Sequence, residues 1–163
     1  MSNKLSDTYT AKHFVHMEEL LPLFRECLSA GQKVKFSPRG VSMLPMLRQG
    51  RDTVTLSPVT GQLKKYDLPL YRRDDGKFVL HRIVAVGENY TCVGDNQFDL
   101  EKNDRQDQII AVVTSFTRDE REIPVTDPVY QCYCRLRHWS RWPRRKWRGL
   151  KRRLYRLVRR KNR

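Results

Sequence analysis

Apolar positions along the 163-residue chain follow two periods. Over residues 13–30, Phe14, Met17, Leu20, Leu21, Phe24 and Leu28 recur at three- and four-residue spacing. That pattern predicts one amphipathic helix packed on the rest of the protein and stopped at Gly31. From Lys33 the period falls to two. Val34 and Phe36 alternate with polar neighbours, as do Val54 and Leu56 within residues 52–57. Residues 77–86 predict a longer strand, entered by a tight turn at Asp75-Gly76 after residues 70–73. Gly87-Glu88-Asn89 predicts a second turn into Tyr90–Val93. Residues 108–117 predict the last strong strand, and Glu122–Val125 a short one. Short strands joined by polar turns, with no internal repeat, predict a mainly β, folded domain rather than parallel βαβ units.

Pro124 and Pro128 close that part, and the pattern changes again. At 100° per residue, Trp147, Leu150, Leu154, Leu157 and Val158 fall on an arc of about 100°, and Arg and Lys fill most of the remaining circle. This predicts a basic amphipathic C-terminal helix, with Pro143 interrupting or starting it. Charge sharpens the division. Residues 129–163 hold 15 of the 33 Lys and Arg and no acid, while residues 1–128 hold 18 basic and 18 acidic residues. The expected organisation is therefore an N-terminal helical segment (1–32), a β domain (33–128) and a basic tail (129–163).

No stretch approaches the 18 apolar residues of a transmembrane helix. Residues 1–12 are polar and lack the apolar core of a signal peptide. A cytoplasmic protein, peripheral at the inner face of a membrane, is the expectation. Cys27, Cys92, Cys132 and Cys134 form no CxxC pair and read as reduced thiols. The spacing of Cys132 and Cys134 would suit a metal only with distant partners. No cofactor is implied.

Three segments carry candidate chemistry. Gly40-Val41-Ser42-Met43-Leu44-Pro45 follows a predicted strand, His81-Arg82-Ile83-Val84 lies within one, and Gly94-Asp95-Asn96 follows another. Each alone reads as a turn or a structural histidine. In this order, from about Val34 to Val113, they resemble the signal peptidase I and S24/S26 peptidase superfamily. Ser42-Met43-Leu44-Pro45 fits its S-M-x-P nucleophile motif, His81-Arg82 its basic residue followed by Arg, and Gly94-Asp95-Asn96 its G-D-N box.

The resemblance implies a signal-peptidase/SOS-repressor-like β domain, with Ser42 as nucleophile and His81 as general base. The chemistry agrees. A serine hydroxyl needs a neighbouring base, and an unperturbed imidazole is substantially neutral near pH 7. A carboxylate would fix its tautomer. Asp95 is the candidate, with Asp99 and Asp104 behind it. The Ser42 backbone N–H is the expected oxyanion donor. Many signal peptidases also use a serine two residues before the nucleophile, where this chain has Gly40. Losing one such donor costs on the order of 3 kcal/mol of transition-state stabilisation. Met43 and Pro45 are expected to shape the wall beside Ser42. Arg82 is expected to be structural, paired with an acid, and His13, His16 and His138 show no partner pattern.

The implied substrate is an extended peptide or preprotein laid along a strand edge. The tail, over residues 139–160, suits an anionic membrane surface, with Trp147, Leu150, Leu154, Leu157 and Val158 as the contacting stripe. A merely solvated tail has no need of Leu150, Leu154 and Leu157 in register, and the peptidase resemblance favours the membrane over nucleic acid. Two alternatives compete. One is a self-cleaving, SOS-repressor-like regulator, although Ala30-Gly31 lies only 11 residues before Ser42. The other is a non-catalytic peptide-binding β module.

Overall fold

Alternation of side chains builds the main core. In β2 (Thr53–Ser57) Val54 and Leu56 point inward, and in the ten-residue β8 (Ile109–Arg118) Ala111, Val113 and Phe116 do the same. The two strands pair antiparallel, Val54 opposite Phe116. The computed structural model describes residues 17–149 and residue 151. Six strands form one antiparallel sheet in the order β1 (Val34–Phe36), β2, β8, β3 (Pro69–Arg72) and β4 (Phe78–Leu80), with β9 (Arg121–Pro124) also beside β8. A second sheet holds β5 (Arg82–Val86), β6 (Tyr90–Val93) and β7 (Glu101–Asp104). Under it lies a smaller core of Leu63, Tyr71, Ile83, Tyr90 and Cys92. The molecule is β-rich, as the period-two pattern predicts.

Most predicted elements recur within a residue or two. Helix α1 (Met17–Ser29) buries Phe24 and Leu28 and sets the Phe24 ring 5.6 Å from Phe36. A buried side chain of this size contributes about 1.5–3 kcal/mol. The Asp75-Gly76 turn links β3 to β4, with Gly76 at φ +84°, the left-handed region a tight hairpin asks of it. Phe14, His13 and His16 lie outside the described residues.

Three expectations need correction. The run 77–86 is two strands, not one. Leu80 pairs with Leu70 in the first sheet and Arg82 with Val93 in the second, so the chain changes sheets at His81. A strand can do this only by bending at a corner, and side-chain alternation along the sequence carries no information about which sheet supplies the partner. β7 is polar (Glu101-Lys102-Asn103-Asp104) and gives no apolar signal, yet it pairs with β6.

The third correction concerns the tail, which does not begin at residue 129 as a separate element. Asp127 accepts a hydrogen bond from the Tyr130 N–H and, with Pro128 at the first turn, starts α2 (Pro128–Trp139). This helix returns to the main core, burying Tyr130 and Cys134, with the Tyr130 ring 5.1 Å from Phe116. Helix resumes over 141–149, with Pro143 in its first turn, where a missing N–H costs little. Of the predicted apolar stripe Trp147 is described and exposed. Leu150, Leu154, Leu157 and Val158 lie outside the described residues.

Candidate active site

Ser42 stands in a tight turn anchored by its neighbours. Met43, Met46 and Leu47 are buried in the main core, while Ser42 itself is half-buried. The Leu47 N–H donates to the Met43 carbonyl, and Asp52 closes the far end by accepting from the Arg48 N–H and guanidinium. Arg48 holds the Asp52 carboxyl below the usual carboxylate range, against the upward push of burial. Gly40 enters the turn at φ +95°, with open space where a side chain would point. Met43 lines the cavity in front of Ser42 as expected, whereas Pro45 is exposed and supplies a carbonyl to Arg118.

The Gly94-Asp95-Asn96 turn clamps the Ser42 backbone. The Asn96 N–H donates to the Ser42 carbonyl at 2.7 Å, and the Asn96 side chain donates to the Val41 carbonyl at 3.2 Å. Gly94 is the point of closest approach. A methyl there would stand 2.7 Å from the Ser42 carbonyl oxygen and 3.1 Å from His81 Nε2. Ser42 and His81 also line one cavity of about 230 Å³, together with Gly40, Met43, Leu80 and Gln97. The structure thus brings together two residues 39 positions apart in sequence.

His81 is only 2% exposed, held at the corner between β4 and β5. Its Nδ1 lies 2.9 Å from Glu101 Oε1, bent away from the line of a ring N–H. Glu101 also accepts from the Tyr71 hydroxyl at 2.5 Å and from Arg73 Nε at 2.8 Å. Partial burial pushes the Glu101 carboxyl up, but His81, Arg73 and Tyr71 together bring it down to about 2. The same burial and contact with Glu101 push the Tyr71 hydroxyl far up, so it remains a donor.

Asp95 is not the partner of His81, which corrects the sequence expectation. Its two oxygens accept from Arg82 Nε at 2.9 Å and Arg82 Nη2 at 2.8 Å, and from the Tyr133 hydroxyl at 2.9 Å. At this corner His81 faces Glu101 while Arg82 turns to Asp95 and Tyr130, so the acid that pairs with Arg82 is not the one beside His81. The Arg82 guanidinium also donates to the Tyr130 hydroxyl at 2.8 Å and approaches Cys134 Sγ at 2.9 Å, which occupies the thiol of the Cys132/Cys134 pair. Burial opposes the Arg82 charge, yet Asp95 holds its pKa well above the ordinary value. Arg82 is the structural, acid-paired residue the sequence suggested. Of the other candidate acids, Asp99 is exposed, and Asp104 is buried, with its carboxyl pushed up by that burial.

Sequence reasoning missed Glu101. The one available signal was the acidic content of residues 97–104. Selecting Glu101 from that window requires the β6–β7 register, in which Glu101 stands opposite Cys92 and Cys92 opposite Ile83, two residues after His81.

His138, on α2, stands edge-on to Tyr66 with ring centroids 6.0 Å apart. Burial, then Lys65 and Arg141, hold its pKa below the usual histidine range. Among the described residues no group of His, Cys, Asp and Glu is placed to hold a metal ion, and no helix is long and apolar enough to cross a membrane. The chain matches no family model, no curated protein and no solved structure.

Proposed function

We propose that the chain is a serine endopeptidase of the signal-peptidase type, built on that family's β domain and acting on extended peptides beside an anionic membrane surface. One observation carries the reading. His81 presents Nε2 at the point where Gly94 meets the Ser42 carbonyl, and turns Nδ1 to the Glu101 carboxylate.

A carboxylate at Nδ1 favours the tautomer with its proton there, which leaves the Nε2 lone pair for the nucleophile. In the proposed reaction Ser42 Oγ attacks the scissile carbonyl carbon while its proton passes to His81 Nε2. Collapse breaks the C–N bond, and the leaving amine takes the proton from Nε2. Water then attacks the Ser42 ester, again giving its proton to His81. The carboxyl product leaves and the Ser42 hydroxyl is restored. Glu101 stabilises the imidazolium that forms twice in this cycle. The Ser42 N–H is the proposed oxyanion donor, with no side chain at Gly40 to assist it.

The substrate has a natural track. β4 is the outer strand of the first sheet, and Phe78, Val79 and Leu80 line the Ser42 cavity. An extended peptide added to this edge runs toward His81 and Ser42, with main-chain hydrogen bonds supplying affinity.

The test uses a peptide library digested with the full chain and read by mass spectrometry. Cleavage sites should appear with wild type and vanish with Ser42→Ala and with His81→Ala. Cleavage that persists unchanged in Ser42→Ala would overturn the reading, and a wild type that cleaves no peptide would leave a peptide-binding β module.

A further inference from the structure

The helix that starts the basic tail has two faces with different assignments. Tyr130, Tyr133, Cys134 and Arg137 fall on one arc of about 100° and face the domain, while Val129, Cys132, Leu136 and Trp139 fall within about 80° on the other side. The second set is exposed, Leu136 at 61% and Trp139 at 85%. The helical ladder continues across the junction at Ser140. Its N–H donates to the Leu136 carbonyl at 2.8 Å, and the Arg144 N–H donates to the Ser140 carbonyl at 3.0 Å. In that register Trp147, 71% exposed, returns to the face of Val129 and Leu136. An apolar stripe of this length on a solvent face calls for a partner.

The reverse face reaches the candidate site. Arg137 Nε donates to the Asp95 carbonyl at 2.8 Å, and Arg137 Nη2 donates to the Leu44 carbonyl at 3.2 Å. Leu44 lies in the Ser42 turn, and Asp95 in the turn that clamps the Ser42 carbonyl. One guanidinium therefore ties both turns to α2. Arg144 adds a second, longer contact to the Asp95 carbonyl, and Arg148 lies over the Phe98 ring, 4.4 Å from its centroid.

We propose that Val129, Leu136, Trp139 and Trp147 form the docking face for an anionic bilayer, and that Arg137 couples docking to the ordering of the Ser42 turn. Charge selects this occupant. Residues 129–163 carry 15 basic residues and no acid, so a second copy would meet like charge. Exposed Arg135 and Lys146 flank the stripe as headgroup partners. A polyanion without an apolar phase leaves Leu136 and Val129 unused. Coupling is reciprocal, so a seated α2 favours both an ordered Ser42 turn and surface binding. The effect on turnover rests on the peptidase reading, whereas the docking and the ordering do not.

The experiment measures binding of the full chain to phosphatidylglycerol–phosphatidylcholine vesicles and to pure phosphatidylcholine vesicles, with amide exchange followed over residues 41–47 and 94–97. Wild type should sediment with the anionic vesicles only, and exchange in both turns should slow. Leu136→Ser/Trp139→Ser, which alters only exposed positions, should bind at least about tenfold more weakly. Arg137→Gln should lose the slowing and bind more weakly only by the lost coupling, far less than the double variant, and Arg137→Lys should restore part of both. A melt by circular dichroism checks that each variant folds. The proposal is overturned by equal binding to both vesicles, by undiminished binding of the double variant, by slowing that survives in Arg137→Gln, or by a chain that self-associates or prefers an acidic protein or RNA to vesicles. None of these readouts uses catalysis, so an inactive wild type would remove the peptidase reading alone.

Discussion

Glu101 and His81 are joined across two strands of the second sheet and its entry corner, with Oε1 2.9 Å from Nδ1. The other imidazole nitrogen faces Gly94 and the Ser42 turn. The carboxylate is thus placed to set the tautomer. Glu101→Gln keeps the size but offers an amide that can equally donate to Nδ1 and turn the Nε2 lone pair away. On the peptidase reading, turnover should fall by roughly 10²–10⁴ with little change in KM. Asp95→Asn should instead act through stability. Steady-state kinetics on any peptide found to be cleaved, alongside melts of both variants, separates the two acids. Equal kinetic losses from both would contradict the assignment.

The low Glu101 pKa makes a pH prediction with a definite sign. Its folded value, about 2, lies below the ordinary 4.5. The stabilisation is therefore complete above about 4.5 and is lost as pH falls toward 2. Two and a half pH units correspond to on the order of 3 kcal/mol. Urea unfolding followed by circular dichroism should show this loss in wild type and not in Glu101→Gln. Circular dichroism is the better probe, because the three Trp residues, 139, 142 and 147, are all exposed. Parallel pH curves for the two proteins would refute the claim.

The buried Arg82–Asp95 pair should behave differently when broken and when replaced. Both side chains are 2% exposed, and each leaves a buried charge if its partner goes. Arg82→Met or Asp95→Leu alone should cost about 3–5 kcal/mol, while the double variant should recover most of that loss. A double-mutant cycle in urea checks this. Additive losses would mean that Tyr130, Tyr133 and Cys134 matter more than the pair itself.

These acids also mark what was legible in the sequence. The strands read well where one face is buried, as in Thr53–Ser57 and Ile109–Arg118, because burial imposes the period. The meeting of Ser42 and His81 in one cavity followed from motif order. Glu101 did not, because the identity of its neighbour depends on the register of a polar strand that alternation cannot detect. The break at His81 was hidden for a related reason: Leu80 and Arg82 look like one strand until their pairing partners are known. Helix α2 heads a segment, 129–163, whose 15 basic residues dominate composition, and that masks the inward face of Tyr130, Cys134 and Arg137.

Gly40 invites an obvious repair that should fail. Serine at this position would restore a hydroxyl near the proposed oxyanion, and space is open for it. The backbone is at φ +95°, however, where a residue with a Cβ costs on the order of 1–3 kcal/mol. Gly40→Ser and Gly40→Ala should lose similar stability, and Gly40→Ser should gain no turnover over Gly40→Ala. A clear gain for Gly40→Ser alone would show that the turn relaxes and that the missing donor limits the rate.

Gly94 presents the opposite case, in which space and not φ decides. An added methyl would meet the Ser42 carbonyl at 2.7 Å, Gln97 Oε1 at 3.0 Å and His81 Nε2 at 3.1 Å. Gln97 can swing away, but the Ser42 carbonyl is backbone held by the Asn96 N–H, and His81 is enclosed. Gly94→Ala must therefore widen the gap between the Ser42 turn and the imidazole. A displacement of about 1 Å at a reacting pair can cost roughly 10² in rate, whereas the stability cost of such overpacking should be about 1–3 kcal/mol. The variant should fold, keep its vesicle binding through α2, and lose roughly 10² in cleavage rate. Full activity in folded Gly94→Ala would mean that Ser42 and His81 do not act across this contact.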